Sequence, residues 1–220
     1  MSHKIEAVIF DMDGVIVDSN PVHKKILQEF CEKYGKKLSD NYIRENLFGR
    51  TNQEWIPNVF GPLTDEQIEI LADEKETLFR KQFNPKKYVV PGFIDFLNLI
   101  KQEEIQTVVA TSAPPENVDY ILDELSIKNL FEAVLDSSHF TKSKPHPEPY
   151  LKAAKTVGSS IHNCIVFEDS ISGVKSGLSA GAKVVGITTT HTRDELDLCH
   201  LVIDDFTKII TSDLEKLLYL

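Results

Sequence analysis

The chain has 220 residues, with 24 Lys and Arg against 34 Asp and Glu, a formal net charge of −10. Hydrophobic residues at 41% and charged residues at 26% exclude a disordered chain, which would be too poor in apolar side chains to build a core. The acidic balance argues against a nucleic-acid partner: the cationic runs are as short as Lys36-Lys37 and Lys86-Lys87, and a phosphate backbone needs clustered Lys and Arg.

The first apolar run, Ala7 to Phe10, is too short for a signal-peptide core or a membrane span, so no membrane association is expected and the cytoplasm is the default location. It predicts a strand buried on both faces, because it is apolar throughout rather than alternating. From Asp18 to Val90 no strand is evident. Leu27, Phe30 and Tyr34 form one helical stripe, and Ile68, Leu71 and Leu78 another. A normal crossover needs only about a dozen residues. Residues 18–88 are therefore read as a separate helical unit fed from one edge of the sheet, with Pro91-Gly92 marking the return. The remaining core, residues 1–17 and 89–220, alternates strand and helix. Phe93, Phe96, Leu97 and Ile100 form a helical face, as do Val118, Ile121, Leu122 and Leu125. Strands are expected at Thr107 to Ala110, Ala133 to Leu135, Cys164 to Phe167, Lys183 to Ile187 and Leu201 to Ile203. This rhythm predicts an α/β fold: a doubly wound, Rossmann-like parallel sheet with an inserted α-helical cap domain. Cys31, Cys164 and Cys199 are widely spaced and odd in number, which suits a reducing compartment and no disulfide framework.

Ligands of open α/β sheets bind beyond the carboxyl ends of the strands, so the residues there are the candidates for chemistry. The first strand ends in Asp11-Met12-Asp13-Gly14. Residues two apart on an extended chain point the same way, so Asp11 and Asp13 can converge, although the same sequence also suits a simple turn. The second strand ends in Thr111-Ser112, which can hold phosphate oxygens or merely cap the next helix. Lys144 follows the third strand in Ser143-Lys144-Pro145-His146-Pro147, a stiff loop that presents it with little freedom, though a lone lysine is ordinarily a surface residue. The fourth strand ends in Glu168-Asp169, where one acid could cap the following helix. Two acids there, at the same sheet edge as Asp11 and Asp13, would repel one another without a cation, and an oxygen-only donor set favours Mg²⁺.

The order D-x-D, T/S, K, E-D at successive strand ends resembles the haloacid dehalogenase superfamily of phosphotransferases nearly end to end. The closest likeness is to its β-phosphoglucomutase and sugar-phosphate phosphatase branch, carried by D-M-D-G-V-I-V-D-S-N-P-V-H (Asp11 to His23), K-P-x-P-E-P-Y and F-E-D-S-x-x-G-V. By that resemblance Asp11 is the nucleophile that becomes an aspartyl phosphate, and Asp13 is the general acid and then the base. Thr111, Ser112 and Lys144 would bind the transferring phosphoryl group. Asp11, the Asp13 backbone carbonyl, Glu168 and Asp169 would hold Mg²⁺.

In the cap, His23 and Lys75 match substrate-facing positions of the mutases, against the plainer readings of a satisfied histidine and a lysine that snorkels to solvent. The cap loop departs from the mutase pattern G-x-S-R. It reads Gly49-Arg50-Thr51-Asn52, so Arg50 sits two positions early and Asn52 takes the arginine's place. Phosphate clamping by arginine depends on geometry, so a Mg²⁺-dependent phosphatase acting on a small phosphorylated metabolite, a sugar phosphate by preference, is the expectation. β-Phosphoglucomutase, interconverting β-glucose 1-phosphate and glucose 6-phosphate, is the alternative. A signalling receiver domain shares the sheet, acids, Thr/Ser and Lys, but its motif order differs. A true dehalogenase would need neither Asp13 nor Mg²⁺. Cap movement is expected about Val15 to Asn20 and Lys87 to Pro91, and a monomer is the expected state.

Overall fold

The computed structural model describes residues 4–48 and 50–219. Strand β1 (Ala7–Phe10) leads into helices α1 (Asn20–Lys33), α2 (Asp40–Asn46), α3 (Asn52–Phe60) and α4 (Asp65–Gln82). The chain continues through α5 (Phe93–Gln102), β2 (Gln106–Ala110), α6 (Pro115–Glu124), β3 (Ala133–Leu135), α7 (Glu148–Thr156) and β4 (Cys164–Glu168). It ends with α8 (Ile171–Ala180), β5 (Lys183–Ile187), β6 (Leu201–Ile203) and α9 (Thr211–Leu217). The strands pair in parallel in the order β3-β2-β1-β4-β5-β6. The order reverses between β1 and β4, and a crevice opens beyond the carboxyl ends of strands at such a switch. Among the described residues no helix is long and apolar enough to cross a membrane.

The uninterrupted apolar character of β1 follows from burial on both faces. Val8 and Phe10 enter one core cluster with α5, α6 and α9, while Ala7 and Ile9 enter another with α7 and α8. Phe10 is the hub of the first. Its ring lies parallel to Phe167 at 5.3 Å and meets Phe93 edge-on at 5.4 Å, with Phe96, Phe131 and Phe206 around it. Such pairs contribute beyond the area they bury.

The helices α1 to α4 form the inserted cap, with an apolar cluster of their own that includes Leu27, Phe30, Ile43, Trp55 and Ile68. Two details differ from the periodicity. Tyr34 lies at the end of α1 and is exposed rather than part of the buried stripe. In α4 the buried residues are Ile68, Lys75, Glu76 and Phe79, and Leu71 and Leu78 are only partly covered. The reason is that α4 serves two partners: Ile68 packs in the cap, Phe79 packs in the main core, and the charged pair between them faces a cavity.

The cap leaves the sheet from β1, an interior strand, and its two connections pair with each other. Asp18 donates its backbone N–H to Tyr88 O at 2.7 Å, Val90 donates to Ile16 O at 3.0 Å, and Val17 and Val89 form an antiparallel bridge. The expected hinge segments therefore meet in one short ribbon.

Replacing Phe10 by Ala leaves a cavity at the aromatic hub and is expected to destabilise the fold by about 3–5 kcal/mol. Urea denaturation followed by circular dichroism measures this, and a loss under about 1 kcal/mol would contradict the hub role.

Candidate active site

The carboxyl ends of β1 and β4 are joined by a buried lysine. Lys144 is 2% exposed, and its Nζ donates to Asp11 Oδ1 at 2.8 Å, Glu168 Oε1 at 2.6 Å and the Ala110 carbonyl at 3.2 Å. All three ammonium hydrogens have acceptors. The expectation that a single lysine would be a surface residue is thus overturned. Its loop is pinned at the far side by Glu148, whose carboxylate accepts from the Thr141 and Lys142 backbone N–H groups. Burial alone would lower the Lys144 pKa, but Asp11 and Glu168 outweigh it and hold the ammonium charged.

Glu168 is wholly buried and its carboxylate is crowded with donors. Besides Lys144, Oε1 accepts from the Tyr150 hydroxyl at 2.6 Å, and Oε2 accepts from the backbone N–H groups of Asp169 and Ser170 and from the Ser170 hydroxyl. Ser170, not either acid, caps α8, through Gly173 N at 3.0 Å. Gly173 is required by close approach: a Cβ there would lie 1.7 Å from Glu168 Oε1. Gly14 is required twice over, by φ of +80° and because a Cβ would lie 1.9 Å from Asp169 Oδ2. Each glycine beside an acid motif makes room for the carboxylate of the second acid pair.

Oxygen atoms of Asp11, Glu168 and Asp169 lie within 4.8 Å of one another. Three buried carboxylates face one ammonium, and the imbalance appears in Asp11 and Asp169. Burial pushes Asp11 up to about 7, with Lys144 pulling it down and Glu168 pushing it up. Burial, then the charges of Glu168 and Asp11, raise Asp169 well above the carboxylate range. A divalent cation would relieve this repulsion, and an all-oxygen donor set suits a hard ion. With the Glu168 oxygens engaged by protein donors, Asp11 and Asp169 are the carboxylates best placed to bind an ion directly. Asp169 is oriented by Asn20 Nδ2 at 3.0 Å and by the Thr190 hydroxyl.

Asp13 sits beside these acids in a different setting. It accepts from the Ser19 hydroxyl, and His23 Nε2 stands 3.5 Å from its Oδ1. Burial would raise its pKa, but His23 and Ser19 bring it below the usual value. The His23 ring stacks on Phe79 at 3.8 Å, and its Nδ1 meets Lys75 Nζ at 3.3 Å. Thr111 is buried, and its hydroxyl accepts from Ala113 N at 3.2 Å. It caps a turn rather than the helix, since α6 begins after Pro114. Ser112 lines the same cavity.

That cavity lies between sheet and cap and measures about 80 Å³, lined by Asp11, Asp13, Asp169, Lys144, His23 and Lys75 among others. Arg50 is exposed at its rim; Gly49 lies outside the described residues. Asn52 lines the cavity too, but its amide is engaged by the protein. It donates to Glu76 Oε1 at 2.9 Å and accepts from Trp55 Nε1 at 2.9 Å. Lys75 does not snorkel: it is 5% exposed and donates to Glu76 Oε1 at 2.8 Å. Glu76 in turn accepts from Asn117 Nδ2 of α6 at 2.7 Å, tying cap to core.

Glu76, Asn117, Tyr150, Ser19, Asn20 and Thr190 were not among the residues singled out from sequence. The available signals were slight: Ser19 and Asn20 fall within the D-x-D segment and Tyr150 within the K-P segment, whereas Glu76 and Asn117 belong to no motif.

In a Gly-to-Ala exchange within a helix, the usual outcome is a gain of about 0.5–1 kcal/mol. For Gly173→Ala the sign should reverse, to a loss of about 1–3 kcal/mol, because the methyl group displaces Glu168. Urea titration reads this directly, and a stabilised variant would contradict the packing.

Known proteins resemble this chain in sequence and in fold. Residues 8–187 match the family model described as haloacid dehalogenase-like hydrolase. A phosphorylated carbohydrates phosphatase from Thermotoga maritima is 30% identical over 80% of this chain and 82% of its own length. A crystal structure of a HAD hydrolase of family IA, variant 3, from Entamoeba histolytica superposes with a TM-score of 0.88 at 33% identity, covering 98% of this chain and 100% of that one. A β-phosphoglucomutase from Clostridium difficile shares the fold, with a TM-score of 0.87 at 24% identity over 98% of this chain and 97% of its own.

Proposed function

This chain belongs to the haloacid dehalogenase-like hydrolases, and we propose that it is a Mg²⁺-dependent phosphatase of a small phosphorylated metabolite, a sugar phosphate by preference. The observation that carries the reading is the Asp11 carboxylate, held by buried Lys144 at 2.8 Å and facing the cavity beside Asp169.

In this reading an Asp11 carboxylate oxygen attacks phosphorus. The bond from phosphorus to the ester oxygen breaks, and the leaving oxygen takes a proton from Asp13. The substrate phosphoryl brings about two negative charges beside Asp13, which favours its proton-holding form for that step. Water then attacks the aspartyl phosphate, Asp13 takes its proton back, and phosphate leaves. Lys144, Ser112 and the turn held by Thr111 receive the phosphoryl oxygens. Asp11, the Asp13 carbonyl and Asp169 would hold Mg²⁺, while Glu168 fixes Lys144 from behind; the ion supplies charge neutralisation for the phosphoryl group in the transition state. The cap carries His23 and Lys75 to the leaving-group side and excludes water. We place the cap at residues 18–88.

Asp11→Asn should abolish phosphate release, by at least about 10³-fold on the scale of lost nucleophiles, with an unchanged circular dichroism spectrum. Retained turnover would refute the nucleophile. Across a panel of sugar phosphates, EDTA should stop phosphate release and added Mg²⁺ restore it. Activity that survives chelation would overturn the metal assignment. Conversion of β-glucose 1-phosphate to glucose 6-phosphate without net release would replace the phosphatase reading by the mutase one.

A further inference from the structure

The side of the cavity away from Asp11 contains a carboxylate that the phosphatase chemistry does not use. Glu76 is 5% exposed, lies in the middle of α4, and lines the same cavity as Asp11 and Asp13. Burial would raise its pKa, but Lys75 and His23 outweigh that and keep it ionised. It accepts three hydrogen bonds from three elements: Lys75 Nζ at 2.8 Å, Asn52 Nδ2 at 2.9 Å and Asn117 Nδ2 at 2.7 Å. Two consequences follow. The Lys75 charge is neutralised by its neighbour, and the Asn52 amide, spent on Glu76 and Trp55, has little left for a ligand. The leaving-group wall therefore offers a balanced pair, an acceptor at Glu76 Oε2 and a donor at Lys75, rather than net positive charge. Such a pair matches a hydroxyl, which donates and accepts at once.

We infer that the leaving-group subsite takes an uncharged, hydroxyl-bearing group, and that Glu76 is the specificity-determining residue that turns away substrates with a second phosphate there. This rests on the phosphatase reading above. A second phosphate carries about two negative charges. It would meet the Glu76 carboxylate in a buried setting, where like-charge juxtaposition is costly. It would also have to take Lys75 from an existing ion pair. Among the described residues the one cation at the cavity without a partner is Arg50, and it is exposed at the rim. Glu76 does not touch the reacting atoms; it sets which leaving group is tolerated.

The test compares kcat/KM for a hexose monophosphate and the matching hexose bisphosphate, with Mg²⁺, in the wild type, Glu76→Gln and Arg50→Ala. The wild type should favour the monophosphate by at least about tenfold. Glu76→Gln frees Lys75 and removes the repulsion, so it should shift the ratio toward the bisphosphate by about tenfold or more. Arg50→Ala, a change at an exposed site, should leave the ratio where it was. Equal or better use of the bisphosphate by the wild type would overturn the inference and leave the phosphatase reading standing. So would a bisphosphate activity that collapses in Arg50→Ala, because the rim arginine would then be the clamp. No phosphate release from any monoester would instead refute the phosphatase reading itself. An unchanged ratio in Glu76→Gln would overturn the role given to Glu76; should that variant fail to fold, Glu76→Ala takes its place with the same expected shift.

Discussion

The bond network of one buried ammonium organises this site. Lys144 reaches from a loop after β3 to acids on β1 and β4 and to the end of β2. Two buried carboxylates so close would each resist ionisation, and a lysine left alone there would lose its proton. Beside Asp11 and Glu168 the ammonium keeps its charge, and its bonds tie these strand ends together. Much nearby detail follows from that contact. The Tyr150 hydroxyl and the Ser170 hydroxyl complete the shell of Glu168, and the Lys144 ammonium lies 4.9 Å from the centre of the Tyr150 ring. Glycines stand at positions 14 and 173 because carboxylates fill the space a side chain would need. Removing either partner would leave a charge buried and unpaired, which costs more than forming the pair contributes.

The same site handles two neighbouring aspartates in opposite ways. Asp11 is pushed upward by burial among other acids, whereas Asp13 is drawn downward by His23 and Ser19 from the first turn of the cap and the residue before it. This split runs opposite to the work proposed for the two acids, so it is the arriving charges that would set their roles: a cation beside Asp11 lowers its pKa, and a substrate phosphoryl beside Asp13 raises its pKa. Here the split depends on the cap, because His23 reaches Asp13 from α1. Asp13 is thus sensitive to where the cap sits, without any need for the sheet to move.

The sheet was legible in the sequence because its strands are short uninterrupted apolar runs, buried throughout in β1 and β4 and only partly covered at the edges β3 and β6. Ala7 to Phe10, Ala133 to Leu135, Lys183 to Ile187 and Leu201 to Ile203 are strands over those same residues, and Gln106 and Glu168 extend two others by one residue each. The core acids, Thr111 and Ser112 could be located for a related reason: each sits at or just beyond a strand end, where topology gathers them, while Lys144 is carried to them by the loop after β3. What escaped notice depends on distant pairings. Asn20 meets Asp169 across 149 positions, and Glu76 meets Asn117 across 41. No periodicity encodes such contacts. The α4 helix misled for a subtler reason. Its buried face changes partner halfway along, so a single apolar stripe through Ile68, Leu71 and Leu78 describes neither half, and Lys75 and Glu76 fall in the gap.

The ribbon formed by Val17 and Val89 makes the cap, seen from the sheet, equivalent to a tight hairpin. Backbones paired in this way stand about 5 Å apart, so the long excursion between them imposes no more separation on β1 and α5 than a two-residue turn would. The sheet's register is thereby insulated from the length of what is inserted, whereas the acids still depend on its first turn through Asn20 and His23.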